Sequence, residues 1–309
     1  MIVHITRATR HLLFWLLISV ALVISVARVV LAELEDYLPE LEQKIRQVTE
    51  MPLRIGRLDA STRGFNPEVI LRDIHLESDD PRQKPDIQLR EIRLGIDMLD
   101  LLLTRDWLSA SRVTLVGANV GVIRNEDGSL AIKGLQASDK QPLWLMQGGK
   151  YEILDSQITW QDLKRHGQPV HFDHFDLVLK NHYFDGSHEV HLLSPLPQQY
   201  GDSLRVSAMI TGNIFQADDI AGQLYIEGTD LQASALVTGD LPLGLNLQAG
   251  AGDIKVWSQW RQSRPYRVDG YIQAQQLSIS KNQAPPLRMD TFQTSFSWSD
   301  NDGRWRLAG

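Results

Sequence analysis

Cysteine is absent from this chain of 309 residues, which excludes disulfide frameworks, zinc–thiolate sites and cysteine nucleophiles. An excess of positive charge is absent too, because 31 Lys and Arg residues stand against 38 Asp and Glu residues and the formal net charge is −7. Without that excess the chain cannot neutralise many phosphates, so we expect no nucleic-acid partner. A hydrophobic content of 43% still leaves enough apolar residues for the chain to fold.

Catalytic motifs are missing as well. The sequence contains no GxSxG, no P-loop, no GxGxxG after a strand and no HExxH. Histidines cluster between His166 and His191, but the residues around them alternate as in β-strands, where a spacing of three sends two rings to opposite faces. We therefore expect solvated or cross-strand histidines and no metal site. Acidic pairs such as Asp155 with Asp162 arise by chance in so acidic a chain, so we predict no enzyme, no catalytic residue and no cofactor.

One long hydrophobic run lies near the N-terminus. Residues 12–32 contain a single charge, Arg28, and about 20 apolar residues suffice to cross the hydrocarbon core of a bilayer. Basic residues precede the run and acidic residues follow it, which keeps residues 1–11 in the cytoplasm and exports the rest. We predict a single-pass, uncleaved transmembrane anchor. The residues assigned to it are Leu12, Trp15, Leu16, Val20, Val23, Val26 and Val30.

Two other interpretations of this run stay open. Val30 and Ala32 are small enough for the −3 and −1 positions of a cleaved signal peptide, and a buried core helix is the third possibility. The body of the chain is exported in either of the first two interpretations. After the run, residues 33–50 place an apolar residue every three or four positions, which predicts a helical connector with one apolar stripe.

From Met51 onwards the sequence changes to short alternating runs. Apolar residues occupy every second position over residues 204–210 and 220–226, which is typical of antiparallel strands with one apolar face. A convincing helical pattern interrupts the strands only at residues 97–107, and we expect its Met98 and Leu102 to pack across the sheet. The sequence therefore predicts a mainly β fold with one or two short helices.

The order of several motifs resembles the N-terminal module of the AsmA-like proteins. The resemblance is carried by residues 53–78 (LRIGRLDASTRGFNPEVILRDIHLES) and by the strand, short helix and strands of residues 85–135. Residues 149–162, 194–197 and 253–260 are similar to the longer YhdP branch of that group. The resemblance implies an inner-membrane-anchored periplasmic protein of a Gram-negative bacterium. It also implies a long, twisted, incompletely closed antiparallel β-sheet with an apolar groove, which is implicated in moving phospholipid towards the outer membrane.

We divide the exported part accordingly into an AsmA-like β module at residues 51–140 and continuing β-groove repeats at residues 141–309. Members of the YhdP branch are much longer, so we expect this chain to be the N-terminal part of a longer protein. An apolar groove would shield acyl chains at about 0.8 kcal/mol per buried methylene. The residues assigned to it are Ile87, Leu89, Ile92, Leu94, Leu115, Leu177, Leu179, Leu204, Val206, Ile210, Leu224 and Ile226.

Three functions compete at this point. The first is lipid transport, with phospholipid and the inner membrane as partners and with outer-membrane or periplasmic proteins as further partners. The second is a non-enzymatic assembly or binding factor for outer-membrane proteins, which would use exposed strand edges. The third, a carbohydrate enzyme, would require convergent carboxylates. A closed sandwich core would use the same apolar residues as the groove, so the tertiary structure discriminates among these functions.

Overall fold

The structure, a computed structural model, leaves most of the first 52 residues undescribed. It describes residues 14, 18, 53–76, 88–127, 130–133, 144–164, 168–213, 220–232, 245–281, 284–301 and 304–308. Phe14 and Ile18 are helical and exposed, and no helix within the described residues is long and apolar enough to cross a bilayer. The connector at 33–50 lies outside this set, so it and the anchor stay predictions. The same holds for the anchor residues Leu12, Trp15, Leu16, Val20, Val23, Val26 and Val30.

Strands dominate the described part of the chain, as predicted. They are β1 (Leu53–Arg63), β2 (Asn66–Leu76), β3 (Gln88–Ile96), β4 (Ser111–Val116), β5 (Asn119–Arg124), β6 (Leu130–Ile132), β7 (Lys150–Asp162), β8 (Val170–Asn181), β9 (Ser187–Pro195), β10 (Ser203–Thr211), β11 (Ala221–Gln232), β12 (Leu245–Arg261), β13 (Arg264–Lys281), β14 (Leu287–Asn301) and β15 (Arg304–Ala308). Two short helices are described, α1 (Met98–Thr104) between β3 and β4 and α2 (Trp144–Gln147) before β7.

All fifteen strands belong to one open sheet. Its order is β1-β2-β3-β4-β7-β8-β9-β10-β11-β12-β13-β14-β15, with β5 and β6 off this path. Neighbours are antiparallel, except that β7 pairs in parallel with both β4 and β5. This parallel junction was not predicted. It arises because the chain returns after Arg124 and starts β7 at the same end of the sheet as β4.

The hairpin turns define two long margins of the sheet. On one margin lie the β1–β2 turn at Gly64 and Phe65, helix α1, and the β8–β9 turn at residues 182–186. The register confirms this, because Arg112 at the start of β4 pairs with Lys150, which pairs with Lys180 at the end of β8. We call this margin the α1 rim and the other margin the opposite rim.

The expectation that α1 packs across the sheet was wrong. The helix has no buried residue, and the side chain of Leu102 is 73% exposed. The β3–β4 connection leaves the sheet at the strand ends, where the N–H of Met98 donates to Asn66 Oδ1 at 2.9 Å. This contact holds α1 at the rim, away from either face.

The two faces of the sheet differ in polarity along one continuous register. One row of facing residues is apolar over twelve strands: Leu58, Leu71, Ile92, Leu115, Ile153, Leu177, Leu192, Val206, Ile226, Val256, Gly270 and Phe296. The adjacent row points the other way and is mostly polar, for example Thr114, Glu152, His191, Ser207 and Asp269. We call these the inner face and the outer face.

Full burial of apolar side chains is concentrated at the beginning of the sheet. Ile55, Leu58, Leu71 and Ile74 form a buried cluster in β1 and β2, and Val69, Leu89 and Ile92 pack against it. Further along, inner-face residues such as Leu177 and Val206 are only half-buried. No second sheet or helix covers the inner face within the described residues, so the described chain forms no filled sandwich.

Candidate functional site

The inner face collects eleven of the twelve residues that the sequence assigned to a groove. Ile87 lies outside the described residues. The others follow the inner rows of the register: Leu89, Ile92, Leu94, Leu115, Leu177, Leu179, Leu204, Val206, Ile210, Leu224 and Ile226. The structure therefore brings these side chains onto one face, as the alternation indicates.

Two apolar cavities lie on this face. The larger has a volume of about 410 Å³ and is lined by Val122, Ile158, Trp160, Phe172, Phe175, Leu192, Ser194 and Leu204. The smaller, of about 200 Å³, is lined by Ala208, Ile210, Ile220, Ala221, Gly222, Gln223, Leu224 and Trp260. Both are almost entirely hydrocarbon, which suits an alkyl chain and offers little to a polar ligand.

Sequence reasoning missed the aromatic residues of these cavities, Trp160, Phe172, Phe175 and Trp260. Phe172 and Phe175 are three positions apart and would face opposite sides of a regular strand. Both nevertheless line the larger cavity, because His174 between them adopts the left-handed conformation with φ 55°. This extra residue shifts the alternation by one position, as in a β-bulge.

The same shift recurs in other strands. Asp73, Asp155, His174, Asp230 and Gln276 all have φ between 46° and 55° within a strand. In β2, the residues two before and one after Asp73 are Leu71 and Ile74, which belong to one buried cluster. In β11 the corresponding residues are Gly228 and Leu231, and the Leu231 side chain lies against Gly228. These left-handed residues keep the inner face apolar. The register shifts around Asp155, His174 and Asp230, as at a β-bulge, whereas around Asp73 the pairing with β1 and β3 is unbroken.

Two of these bulges share a polar support. A bulge removes a backbone N–H from the regular ladder and leaves it in need of an acceptor. The N–H of Asp155 donates to Asp176 Oδ1 at 2.7 Å, and the N–H of Asp230 donates to Asp253 Oδ1 at 2.9 Å. In both cases the acceptor is a carboxylate on the next strand, so the same type of hydrogen bond supports both bulges.

The histidines and carboxylates singled out by the sequence have structural partners. His171 Nδ1 lies 2.9 Å from Thr159 Oγ1, and His174 Nδ1 lies 2.7 Å from Asp155 Oδ1. Arg90 Nη2 donates to Asp155 Oδ2 at 2.7 Å, and this bond, with that of His174, lowers the pKa of Asp155. Asp162 faces Arg124 at 3.4 Å. Within the described part of the chain no cluster of His, Asp and Glu could hold a metal ion.

Glu152 is the most enclosed carboxylate with a shifted pKa on the outer face. Thr114 Oγ1 donates to its Oε2 at 2.7 Å, and Lys150 Nζ lies 2.6 Å from its Oε1. Burial alone raises the pKa of Glu152, but the hydrogen bonds from Lys150 and Thr114 outweigh it and hold the pKa below its usual value. The ionised carboxylate therefore stabilises the junction of β4 and β7.

This pKa predicts how stability depends on pH. Because the folded-state pKa is depressed, the contribution of Glu152 is present above its unfolded pKa and is lost as pH falls through the folded value. We expect Glu152→Gln to lower the free energy of unfolding by about 1–3 kcal/mol at pH 7. The difference from the parent should shrink below about pH 4. Urea unfolding at several pH values measures this difference in the free energy of unfolding, and Glu126→Gln, in an exposed turn, is the control. A constant difference from pH 7 to pH 3 would contradict the assignment.

Comparison with known proteins agrees with this arrangement. The family described as YhdP protein matches residues 1–309. The curated intermembrane phospholipid transporter YhdP of Escherichia coli strain K12 is 26% identical over 145 residues, which cover 47% of this chain and 11% of that protein. The aligned part thus spans about a tenth of the relative's length. No solved structure matches. Since the family match extends over the whole chain, this chain belongs to the YhdP family.

Proposed function

We propose that this chain is a periplasmic, inner-membrane-anchored part of a lipid-transport protein, and that its inner face shields phospholipid acyl chains on the way to the outer membrane. The observation that carries the proposal is the apolar row of facing residues, which over the ten strands from β3 to β14 is covered by no other described element. An uncovered apolar face of that length needs an apolar occupant in water. The curated relative is an intermembrane phospholipid transporter, which supports phospholipid as that occupant.

The register favours transport over static binding. Neighbouring strands lie about 4.8 Å apart, so the row extends for about 50 Å across the sheet. A lipid that moves by one strand leaves one apolar residue, such as Leu192, and meets another, such as Val206. The buried area hardly changes, so the barrier between steps is low. Complete escape into water would expose many methylenes at about 0.8 kcal/mol each.

The anchor and the route belong to the same proposal. The apolar run of residues 12–32 supports attachment to the inner membrane, with the N-terminus in the cytoplasm and the sheet in the periplasm. In this arrangement the chain uses no nucleophile, metal or cofactor. Its role is to lower the free energy of acyl chains between two membranes.

Photo-crosslinking in cells tests the proposal. A photoreactive residue in place of Leu204 or Leu224, on the inner face, is expected to form adducts with phospholipid. The matched control is Arg205, which adjoins Leu204 on the outer face and is exposed. Lipid adducts from the two inner positions, with none from Arg205, would support the groove. Adducts with proteins alone at Leu204 and Leu224 would overturn it and favour an assembly factor.

A further inference from the structure

An exposed apolar patch lies on the α1 rim, away from both faces of the sheet. Its side chains are between 61% and 90% exposed, although all are large and apolar. We call this set the rim patch: Phe65, Leu99, Leu102, Leu103, Trp107 and Phe184. They come from three connections, the β1–β2 turn, the segment around α1, and the β8–β9 turn. Single exposed apolar residues are common, but six along one rim, drawn from three segments, indicate an interaction surface.

Helix α1 is held firmly in this exposed position. Asp97 caps it by accepting from the N–H groups of Leu99 and Asp100 at 3.1 and 3.2 Å. Asn66 bonds to two adjacent residues at the start of α1, accepting from Met98 N–H at 2.9 Å and donating to Asp97 Oδ2 at 3.1 Å. The contacts that fix α1 are therefore polar, and its leucines are left for something outside the sheet.

The polar groups beside the rim patch fit lipid head groups. A polar cavity of about 130 Å³ beside α1 is lined by Asp97, Asp100, Ala110, Ser111, Arg112, Gly149, Lys150, Lys180 and Asn181. Arg112 Nε is buried there without a hydrogen-bond partner. Charges of both signs suit a zwitterionic head group better than a strongly anionic surface. Trp, Phe and Leu are also the residues by which interfacial helices enter the boundary between head groups and acyl chains.

The position of the predicted anchor makes a bilayer the nearest apolar surface. Residues 33–52 separate the apolar run from β1, and twenty residues reach at most about 70 Å when fully extended. This segment joins the sheet at Leu53, on the opposite rim, and the eleven residues of β1 span about 36 Å from there to the α1 rim. The tether is therefore long enough for the α1 rim to reach the membrane that holds the anchor. Because the tether keeps the sheet near that bilayer, even weak insertion of the rim patch holds the sheet there.

We propose that the rim patch docks onto the surface of the phospholipid bilayer in which the chain is anchored. Leu99, Leu102, Leu103, Trp107 and Phe184 enter the interface, and Lys180 stays at the level of the head groups. The proposal rests on the predicted anchor but goes beyond lipid shielding by the inner face. Leu94, which is inward-facing and 43% exposed, lies close to α1 in β3. Docking at this rim would bring the first strands of the inner face against lipid.

Absence of cysteine from the chain permits a direct test. The variants Leu102→Cys and Phe184→Cys each carry one environment-sensitive nitrobenzoxadiazole label. The control is Leu287→Cys, because Leu287 is 63% exposed but lies on the opposite rim. The full chain is reconstituted in vesicles of phosphatidylethanolamine and phosphatidylglycerol. We expect labels at 102 and 184 to be several-fold less quenched by iodide than the label at 287. We also expect strong quenching by lipids with a spin label near the head group.

Each other outcome overturns the docking proposal. Full quenching by iodide at 102 and 184 would show that the patch stays in water. Protection from iodide without quenching by the spin-labelled lipid would indicate a protein cover. That cover is a second copy if protection rises with protein density, and the segment at residues 33–50 of the same chain if it does not.

Failure of docking and failure of lipid shielding are distinguishable. The double variant Leu102→Glu and Leu103→Glu should lose spin-label quenching at position 184, while circular dichroism stays that of the parent. Spin-label quenching that persists in this variant would overturn the role of α1. Lipid adducts from Leu204 report the inner face separately, so their absence with intact quenching at 102 would overturn the proposed function alone.

Discussion

Replacing Val206 by Asp is expected to remove most of the phospholipid bound by the full chain, whereas replacing the adjacent Ser207 by Asp leaves the bound lipid unchanged. Val206 lies in the middle of the inner row, between Leu192 and Ile226. Ser207 points to the outer face, where its hydroxyl lies 3.1 Å from His191 Nδ1. The two substitutions add the same charge to the same strand and differ only in the face that receives it.

The size of this effect follows from desolvation. A carboxylate beside an acyl chain loses water without gaining a partner, which costs several kcal/mol. Every 1.4 kcal/mol is about a tenfold change in an equilibrium constant, so the expected loss of lipid is on the order of 100-fold. Val206 is only half-buried, so the empty protein keeps its fold because water reaches the new carboxylate.

Mass spectrometry of lipid extracted per mole of purified full-length protein measures this effect. Circular dichroism and urea unfolding of both variants serve as controls for folding. Equal lipid content in Val206→Asp and the parent would contradict the inner-face proposal. Equal loss in both variants would show that total charge, rather than the polarity of one face, controls lipid content.

Truncation of Ile74 to Ala is expected to destabilise the protein more than the same truncation of Ile226. Ile74 is 1% exposed and packs in the buried cluster of β1 and β2, so its loss leaves a cavity and should cost about 2–5 kcal/mol. Ile226 is half-buried on the uncovered part of the inner face. Water or lipid fills the space at that position, so the loss should be about 1 kcal/mol.

Hydrogen exchange and urea unfolding measure the two losses. Amide exchange in β1–β3 should accelerate in Ile74→Ala, since local openings there depend on the cluster. Ile226→Ala should leave exchange in β1–β3 close to that of the parent. Similar losses of stability in both variants would contradict the concentration of the core at the start of the sheet.

Strand identity and the polarity of each face could be predicted from the sequence. Alternation over residues 204–210 and 220–226 predicted faces that the register reproduces through Val206 and Ile226. This works because side chains of a regular strand alternate with a period of two, which the sequence displays directly. The family resemblance, carried by the same patterns, is confirmed by the match over residues 1–309.

The phase shifts within strands could not be predicted in this way. The Phe172 and Phe175 rings share a cavity because His174 adopts positive φ. In the sequence, this interruption of the alternation looks the same as the end of a strand. The left-handed residue at Asp155 has its N–H bonded to Asp176, so the shift depends on a contact between two strands. Four consecutive residues with apolar residues at both ends and Asp or His at the third position, as in residues 172–175 and 71–74, are the signal that could have found it.

The sequence alone predicted the strands and the apolar face of each strand, and it supports the membrane-directed run as an expectation. Each of these depends only on residues within a few positions of one another. Contacts between distant residues settled the parallel pairing of Leu115 with Ile153 and the placement of α1 at the rim through Asn66 and Asp97. The same is true of the continuity of the apolar row over twelve strands, since it requires every neighbouring pair of strands to take one register.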